Sequence, residues 1–438
     1  MTESITQTRL DNGLTVQLKE IHTAPIISHW VWYRVGSRDE VPGLTGISHW
    51  VEHMQFKGTP QFPSSILDRA ISREGGIWNA FTYLDWTTYF ETLPADKIDL
   101  ALRLESDRMI NSIYDPKEVE SERTVIISER EGSENEPLFR LGEAVQQAAF
   151  GVHPYHHEII GDKADLLKIT RDDLFNHYRR CYVPANAILA IAGDFDTAVM
   201  LKRIEELYGG LPAGSPPSHT IQPEPPLPGE KRLEVNGPGE TTYLQIGYRS
   251  PAADHPDFFA LTVLDSLLTG PTSLNMFGGG GISNKTSRLY RALVERELAI
   301  SVNGGIQATI DPYLYDMNIT IHPRSTPEQV LAGIDEQIRN LQDNLVQTEE
   351  IQRAIKQARA MFAYGSENIT NQGFWLGFAD MFANYDWFAS YVDHLSQVTP
   401  ADIQRISQVY LTPENRVVGV YLPTGAETSE EDEEGEAA

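Results

Sequence analysis

A proline- and glycine-rich stretch near the middle of the chain constrains the fold more than any other feature. Residues 209–231 begin with Gly-Gly-Leu-Pro and contain two further proline clusters. This composition is typical of an extended linker. Because 438 residues are too many for one ordinary domain, the stretch predicts two domains, residues 1–208 and 232–424, joined by a linker at 209–231.

The first half shows a change of hydrophobic period. Apolar and polar residues alternate over residues 14–35, which predicts two strands with one buried face. From Gly46 the apolar residues fall at helical spacing, and Gly58-Thr59-Pro60 ends the predicted helix. Further helices are predicted at 64–74, 96–112 and 116–131, and further strands at 79–93 and 187–192.

The second half repeats this order. A strand is predicted at 242–248, followed by a turn and by an apolar helix at 258–268. We interpret the recurrence as a weak internal duplication of an α+β unit. The second helix carries no histidine pair, so the two copies differ in the chemistry that they can support.

The charge and cysteine content limit the class of partner and compartment. A net charge of −27 disfavours nucleic acid as a partner. Residues 425–438 are nearly all acidic or small, which predicts a disordered tail. A single cysteine, no apolar run of 18 residues and no signal-peptide pattern predict a cytoplasmic protein without a membrane span.

The sequence His49-Trp50-Val51-Glu52-His53 is the motif that carries chemistry. Histidines at positions i and i+4 of a helix share a face, so both imidazoles can reach one Zn²⁺ at about 2.0–2.1 Å. Glu52 lies beside that face, where it can take a proton from zinc-activated water and pass it to a leaving amine. The alternative is a solvated helix face that bears two histidines and an acid.

A catalytic zinc site needs a third protein ligand, and the acidic helix predicted at 116–131 offers one. Glu122 and Glu129 are seven residues apart, so they share a helix face. Glu129 could ligate the metal, and Glu122 could accept a hydrogen bond from a ligating histidine. From the sequence alone, an ordinary acidic surface helix is the favoured reading.

The chain resembles the pitrilysin–insulysin family of zinc peptidases, which includes the mitochondrial processing peptidases. The resemblance runs over nearly all of residues 7–422. It is carried by Arg9 to Val16, Gly36 to Glu40, GISHWVEHMQFKGT at 46–59, Gly75-Gly76, Asn79 to Thr82, Tyr178 to Asn186, Gly193 to Phe195, Gly247 to Arg249 and Ser287 to Leu289.

The resemblance implies an α+β fold of two homologous halves, each a mostly antiparallel sheet packed with helices, around a chamber. It implies one zinc per chain, held by His49, His53 and Glu129, with Glu122 as the assisting acid and Glu52 as the catalytic base. It also implies that the strand with Asn79, Ala80 and Phe81 binds the backbone of a peptide substrate, as an edge strand can.

The second half departs from the family pattern. An arginine and, seven residues later, a tyrosine usually act there on the substrate carbonyl. Here the tyrosine position is Ile300, and the arginine position is Leu293 or Val294. Because these side chains cannot stabilise an oxyanion, we expect a homologous subunit without zinc to supply the pair in a heterodimer.

These features favour a zinc-dependent metalloendopeptidase that cleaves peptides or unfolded segments. One alternative is a structural subunit like the core proteins of a respiratory complex. Another is a zinc-bound protein that captures peptides without cutting them. The complete metal set argues against the structural subunit, and the missing arginine–tyrosine pair keeps the capture protein open.

Overall fold

The alternating segments of the first half form a single sheet. The computed structural model describes residues 5–216, 220–274 and 282–425. The first sheet has the strand order β1-β2-β6-β3-β5-β4. Its strands are β1 (Thr6–Arg9), β2 (Thr15–Glu20), β3 (Ile26–Tyr33), β4 (Ile77–Thr82), β5 (Thr87–Pro94) and β6 (Ala187–Gly193).

The second half forms a second sheet, and its topology repeats that of the first. Its order is β7-β11-β8-β10-β9, which matches β2-β6-β3-β5-β4 strand for strand. Each sheet has one parallel pair, β2 with β6 and β7 with β11. The predicted α+β fold of two mostly antiparallel halves is therefore confirmed. The strands are β7 (Lys231–Gly237), β8 (Tyr243–Ser250), β9 (Ala299–Ile306), β10 (Tyr313–Ile321) and β11 (Arg416–Pro423).

Helices cover the sheets and complete each half. In the first half they are α1 (Ile47–Met54), α2 (Ser64–Arg73), α3 (Ile98–Asn111), α4 (Pro116–Glu134), α5 (Pro137–Ala149), α6 (Lys163–Leu166), α7 (Arg171–Cys181) and α8 (Thr197–Tyr208). In the second half they are α9 (Asp257–Leu268), α10 (Pro327–Asp343), α11 (Thr348–Tyr364), α12 (Ile369–Phe382), α13 (Tyr385–Ala389), α14 (Tyr391–Gln397) and α15 (Pro400–Tyr410).

The single strand predicted at 79–93 is wrong. The structure has two antiparallel strands there, β4 and β5, joined by a turn in which the amide of Tyr83 donates to the carbonyl of Trp86 at 2.8 Å. The turn residues, Tyr-Leu-Asp-Trp, include no glycine or proline, so local composition gave no sign of it. Asp85 in the turn accepts hydrogen bonds from the Tyr155 hydroxyl at 2.6 Å and the Ile310 amide at 2.9 Å. Long-range contacts therefore stabilise this turn.

The two halves exchange helices. Helix α5 of the first half packs on β7, β8 and β11, whereas α12 of the second half packs on β3 and β6. A Cβ atom at Gly377 of α12 would overlap the buried indole of Trp32, and one at Gly373 would lie 2.6 Å from Cδ1 of Trp30. The helix can therefore approach β3 only because these positions lack side chains. Each sheet is covered in part by a helix from the other half. The division of the chain into two domains, 1–208 and 232–424, with a linker at 209–231, therefore stays a prediction.

Two further predictions concern the acidic tail and the membrane. All but Gly425 of the predicted tail at 425–438 lies outside the described residues. Within the described ranges, no helix combines the length and the apolar composition needed to cross a bilayer. The single cysteine, Cys181, is free and buried.

Candidate metal centre

The helix with the two histidines, α1, begins at an unusual glycine. Gly46 precedes the helix with φ of +84°, a conformation that favours glycine. The buried carboxylate of Glu40 accepts hydrogen bonds from the amides of Gly46 and Ser48, each at 2.8 Å. Glu40 thereby satisfies amides that the first turn leaves without helical partners. Burial raises the pKa of Glu40 to about 8, against the lowering effect of these hydrogen bonds.

The two histidines converge through the same ring atom. Nε2 of His49 lies 3.2 Å from Nε2 of His53. Zinc–nitrogen bonds of 2.0–2.1 Å in a tetrahedron place two nitrogens about 3.3 Å apart. The spacing therefore fits two ligands of one zinc ion.

Glu122 determines which nitrogen of His53 faces the site. Nδ1 of His53 donates to Oε1 of Glu122 at 2.8 Å, and the Lys57 ammonium pairs with the same carboxylate. Burial by itself lowers the pKa of His53, but the hydrogen bond to Glu122 and the charges of Glu129 and Glu52 outweigh burial and raise it. With its proton on Nδ1, His53 turns a lone pair on Nε2 towards His49.

The third predicted ligand comes from α4. Oε2 of Glu129 lies 3.7 Å from Nε2 of His53. One ligand atom each from His49, His53 and Glu129 lies within 4.8 Å of the others. Burial lowers the pKa of His49 to about 3, so its ring is neutral and able to ligate at neutral pH. Two imidazoles and one carboxylate form a donor set that suits Zn²⁺, which would take the place of any proton on Nε2 of His53.

Glu52 lies next to these ligands and is oriented by a hydroxyl. The Thr82 hydroxyl donates to Oε2 of Glu52 at 2.6 Å. Glu52 is 8% exposed, and this burial raises its pKa even though the Thr82 hydrogen bond opposes the shift. The carboxylate therefore has a defined orientation and a raised affinity for a proton.

A cavity of about 470 Å³ brings together His49, Glu129, Glu52 and strand β4. Ala80 and Phe81 line it, whereas the exposed Asn79 does not, and Oδ1 of Asn79 accepts from the Ala80 amide at 2.9 Å. In the described part of the chain, β4 pairs only with β5. Its other edge is available for an extended peptide. The substrate roles of Asn79, Ala80 and Phe81 stay predictions.

The sequence analysis missed several residues that line the cavity, and also Glu40, which supports the start of α1. Thr82 directly follows the predicted segment 79–81, and its hydroxyl could have been recognised there as a partner for an acid. Glu40 carries no sequence signal for its role at the start of α1. The other lining residues that were missed are Ser133, Phe139, Glu158, Ile159 and Ile160.

The second-half positions that lack the expected polar pair contribute nothing to this cavity. Leu293 is fully buried, and Ile300 on β9 is 54% exposed. Every described residue that lines the cavity belongs to the first half.

Two sequence profiles of known protein families match the chain, one in each half. Residues 15–163 match the sequence profile described as "Insulinase (Peptidase family M16)". Residues 168–358 match the profile described as "Peptidase M16 inactive domain". The two profiles meet near the end of the region that contributes to the metal cavity.

Individual relatives are zinc proteases. The chain is 31% identical over 315 residues to an uncharacterized zinc protease of Mycobacterium leprae, covering 70% of this chain and 67% of the relative. It is 32% identical over 272 residues to the zinc protease PqqE of Helicobacter pylori, covering 61% of this chain and 60% of that protein. The crystal structure of a protease from Helicobacter pylori superposes with a TM-score of 0.87 at 24% identity, over 96% of this chain and 100% of that one.

Proposed function

This chain belongs to peptidase family M16, and on that premise we propose that it is a zinc-dependent metalloendopeptidase. Its substrates are peptides or unfolded segments, and it acts as the metal-bearing subunit of a heterodimer. The observation that carries the proposal is the convergence of His49, His53 and Glu129 beside a cavity that Glu52 also lines.

The residues of the chain divide the work of hydrolysis. His49, His53 and Glu129 would hold zinc, which when bound lowers the pKa of water and polarises a carbonyl. Glu52, oriented by Thr82, accepts the proton of the attacking water on a carboxylate oxygen and delivers it to the leaving amine. The free edge of β4 binds the peptide backbone in an extended conformation.

The heterodimer rests on what the metal cavity lacks. Its described lining has no second-half residue. Ile300 is apolar where the family has a tyrosine, and Leu293 or Val294 is apolar where the family has an arginine. A homologous subunit without zinc would supply that pair to the substrate carbonyl, whose developing charge otherwise lacks donors. The complete pair of chains then forms one active site.

Peptidase assays with internally quenched peptides test the proposal. The chain is assayed alone and with a homologous chain that lacks the HxxEH motif, each with and without a metal chelator. We expect chelator-sensitive cleavage in the mixture and little from the single chain. Glu52→Gln should retain zinc and lower kcat/KM about 10²–10⁴-fold, whereas Glu131→Gln, at an exposed carboxylate paired with Lys163, should not.

The outcomes separate the candidate functions. Full activity of the single chain would refute the heterodimer but support the peptidase. Stoichiometric zinc with peptide binding but without cleavage, alone and in the mixture, would favour the peptide-capturing protein. Absence of zinc and of peptide binding would favour a structural subunit.

We place the protein in the cytoplasm. The support is Cys181, which is buried and free, and whose thiol pKa burial raises to about 11. A lone, unreactive thiol suits a reducing compartment. Cell fractionation with antibody detection tests this, and recovery from an extracytoplasmic fraction would contradict it.

A further inference from the structure

The outer edge of strand β7 is open, whereas the matching edge of the first half is covered. In the first half, β1 pairs with β2 and closes that end of the sheet. Strand β7 has the place of β2 in the second sheet, and within the described ranges it pairs only with β11. No other described segment forms a backbone hydrogen bond with residues 231–236. Such an edge presents amide and carbonyl groups to an incoming strand.

One face of the sheet behind this edge is open as well. In the first half, α8 follows β6 and packs on β2 and α3. Strand β11 matches β6, and no helix follows it in the described part of the chain. At the corresponding place, between β7, β11 and the start of α10, lies a cavity of about 370 Å³. Its apolar lining includes Leu244, Leu331, Val418 and Val420.

The side chains of β7 alternate between the two faces of the sheet. Arg232 and Glu234 are exposed and pair in register with Val418 and Val420 of β11. Because residues paired in register point to the same face, both charged side chains lie on the cavity face, and both line the cavity. Leu233 points to the opposite face and packs against the core beneath α5.

Both charged side chains are available to a partner. The side chain of Arg232 is 60% exposed, and within the described ranges it donates only from Nε, to Oε1 of Glu230 at 2.5 Å. Glu234 is exposed and forms no side-chain hydrogen bond or ion pair with any described residue. Opposite charges two residues apart on one face make a strand complementary to an antiparallel copy of itself.

The charges favour one register for such a pairing. The faces of the two sheets stay aligned only when a residue of β7 lies on the twofold axis. With Leu233 on the axis, Arg232 of each copy lies opposite Glu234 of the other copy. With Arg232 or Glu234 on the axis, like charges lie opposite each other, which destabilises the pair.

We propose that β7 pairs antiparallel with β7 of a second copy of this chain, across a twofold axis at Leu233. The two five-stranded sheets join into one, and two ion pairs form on the cavity face. Because the contact is small, we expect a reversible dimer with a Kd in about the micromolar range. This dimer depends neither on the proposed peptidase activity nor on the proposed heterodimer.

Charge-exchange variants test the dimer. Sedimentation velocity over a range of chain concentrations measures the monomer–dimer equilibrium. Arg232→Glu and Glu234→Arg each place like charges opposite each other, so each should raise the Kd about ten- to hundredfold. The double variant Arg232→Glu/Glu234→Arg recreates both pairs and should restore the Kd of wild type. Lys202→Glu, at an exposed position of α8, changes the net charge as Arg232→Glu does and should leave the Kd unchanged.

Three outcomes would overturn the proposal. The first is a wild-type chain that stays monomeric at every concentration. The second is a dimer that the single variants leave intact or that the double variant does not restore, since another surface then forms it. The third is a chain that does not self-associate but binds a homologous chain in a way that depends on Arg232. Melting temperatures and zinc content show whether each variant is folded.

Cysteine cross-linking tests the register. In Leu233→Cys the two thiols lie opposite each other, with about 4.5–5.5 Å between the Cα atoms, which a disulfide can span. In Val235→Cys, on the same face, the two residues lie about 13 Å apart. Mild oxidation should therefore give a covalent dimer for Leu233→Cys and little for Val235→Cys, and none for wild type, whose Cys181 is buried. Equal cross-linking of the two variants, or more for Val235→Cys, would contradict the pairing at Leu233.

Discussion

Helices α1 and α9 hold corresponding places in the two halves, and they differ in burial. In sequence, α1 follows β3 and precedes β4, and α9 follows β8 and precedes β9. These strands occupy matching positions in the two sheets. All residues of α9 are buried, whereas α1 buries every residue except His49 and His53, and His49 lines the metal cavity. The duplicated topology thus provides two helix positions, of which only α1 has the described metal-ligand set.

The acids of α9 show why its position cannot ligate a metal. Asp265 accepts hydrogen bonds from the hydroxyls of Thr269, Tyr315 and Thr272. Asp257, at the start of the helix, pairs with Arg405 at 2.6 Å. Both carboxylates are already satisfied by their own half. By contrast, the Nε2 atoms of His49 and His53 face each other, so a metal would complete the α1 site.

Removal of a ligand should have the largest effect. We expect His53→Ala and Glu129→Gln to lower zinc affinity by more than about 10³-fold, since each removes a direct ligand. Asp265→Asn, the matched change in α9, should leave zinc content at one per chain. Metal analysis after dialysis against a competing chelator measures both. Loss of zinc in Asp265→Asn would break the comparison.

Gly377→Ala should destabilise the packing of α12 of the second half against β3 of the first half, and so lower the free energy of unfolding. The added methyl overlaps the buried Trp32 indole, so α12 must move away from β3, at a cost of about 1–3 kcal/mol. Chemical unfolding measures the loss of free energy of unfolding. Gly132→Ala in α4 is the control, because nothing lies within 4 Å of its Cβ, and it should stabilise by roughly 0.5–1 kcal/mol. Equal effects would mean that the close approach is unimportant.

The buried acid of α9 should make stability depend on pH. Burial raises the pKa of Asp265 to about 6 in the folded chain, against the hydroxyl hydrogen bonds, compared with about 3.9 when unfolded. Its contribution to stability is therefore complete below about pH 4 and is lost as the pH rises through 6. Between pH 4.5 and 7, we expect the stability of wild type relative to Asp265→Asn to fall by about 1–3 kcal/mol. A difference that stays constant with pH would contradict this.

A smaller effect on zinc affinity than the loss of a ligand should come from the residue that orients His53. Glu122→Gln should lower zinc affinity about 10–100-fold, because an amide holds the Nδ1 proton less well than a carboxylate does. Glu118→Gln is the matched control on the same helix. Glu118 lies 3.8 Å from Lys57 and is 52% exposed, so its loss should change affinity less than about twofold. Competition with a fluorescent zinc chelator resolves the two variants.

The sequence predicted helix α1 better than it predicted the β4–β5 hairpin. The helical spacing from Ile47 to Met54 and the stop at Gly58 predicted α1 correctly, because a local period and a local breaker define it. The turn between β4 and β5 was missed, because its stabilising partners, Tyr155 and Ile310, lie far away in sequence. Local patterns carry no information about such partners.

The sequence by itself determined the repeated strand and helix order and the residues that could bind a metal, since periodicity and the HxxEH spacing are local properties. Only the tertiary structure decided that Thr82 orients Glu52 and that α5 and α12 each pack on the sheet of the other half. The physical reason is distance along the chain. Each of these arrangements joins segments that become neighbours only when the sheets form and pack.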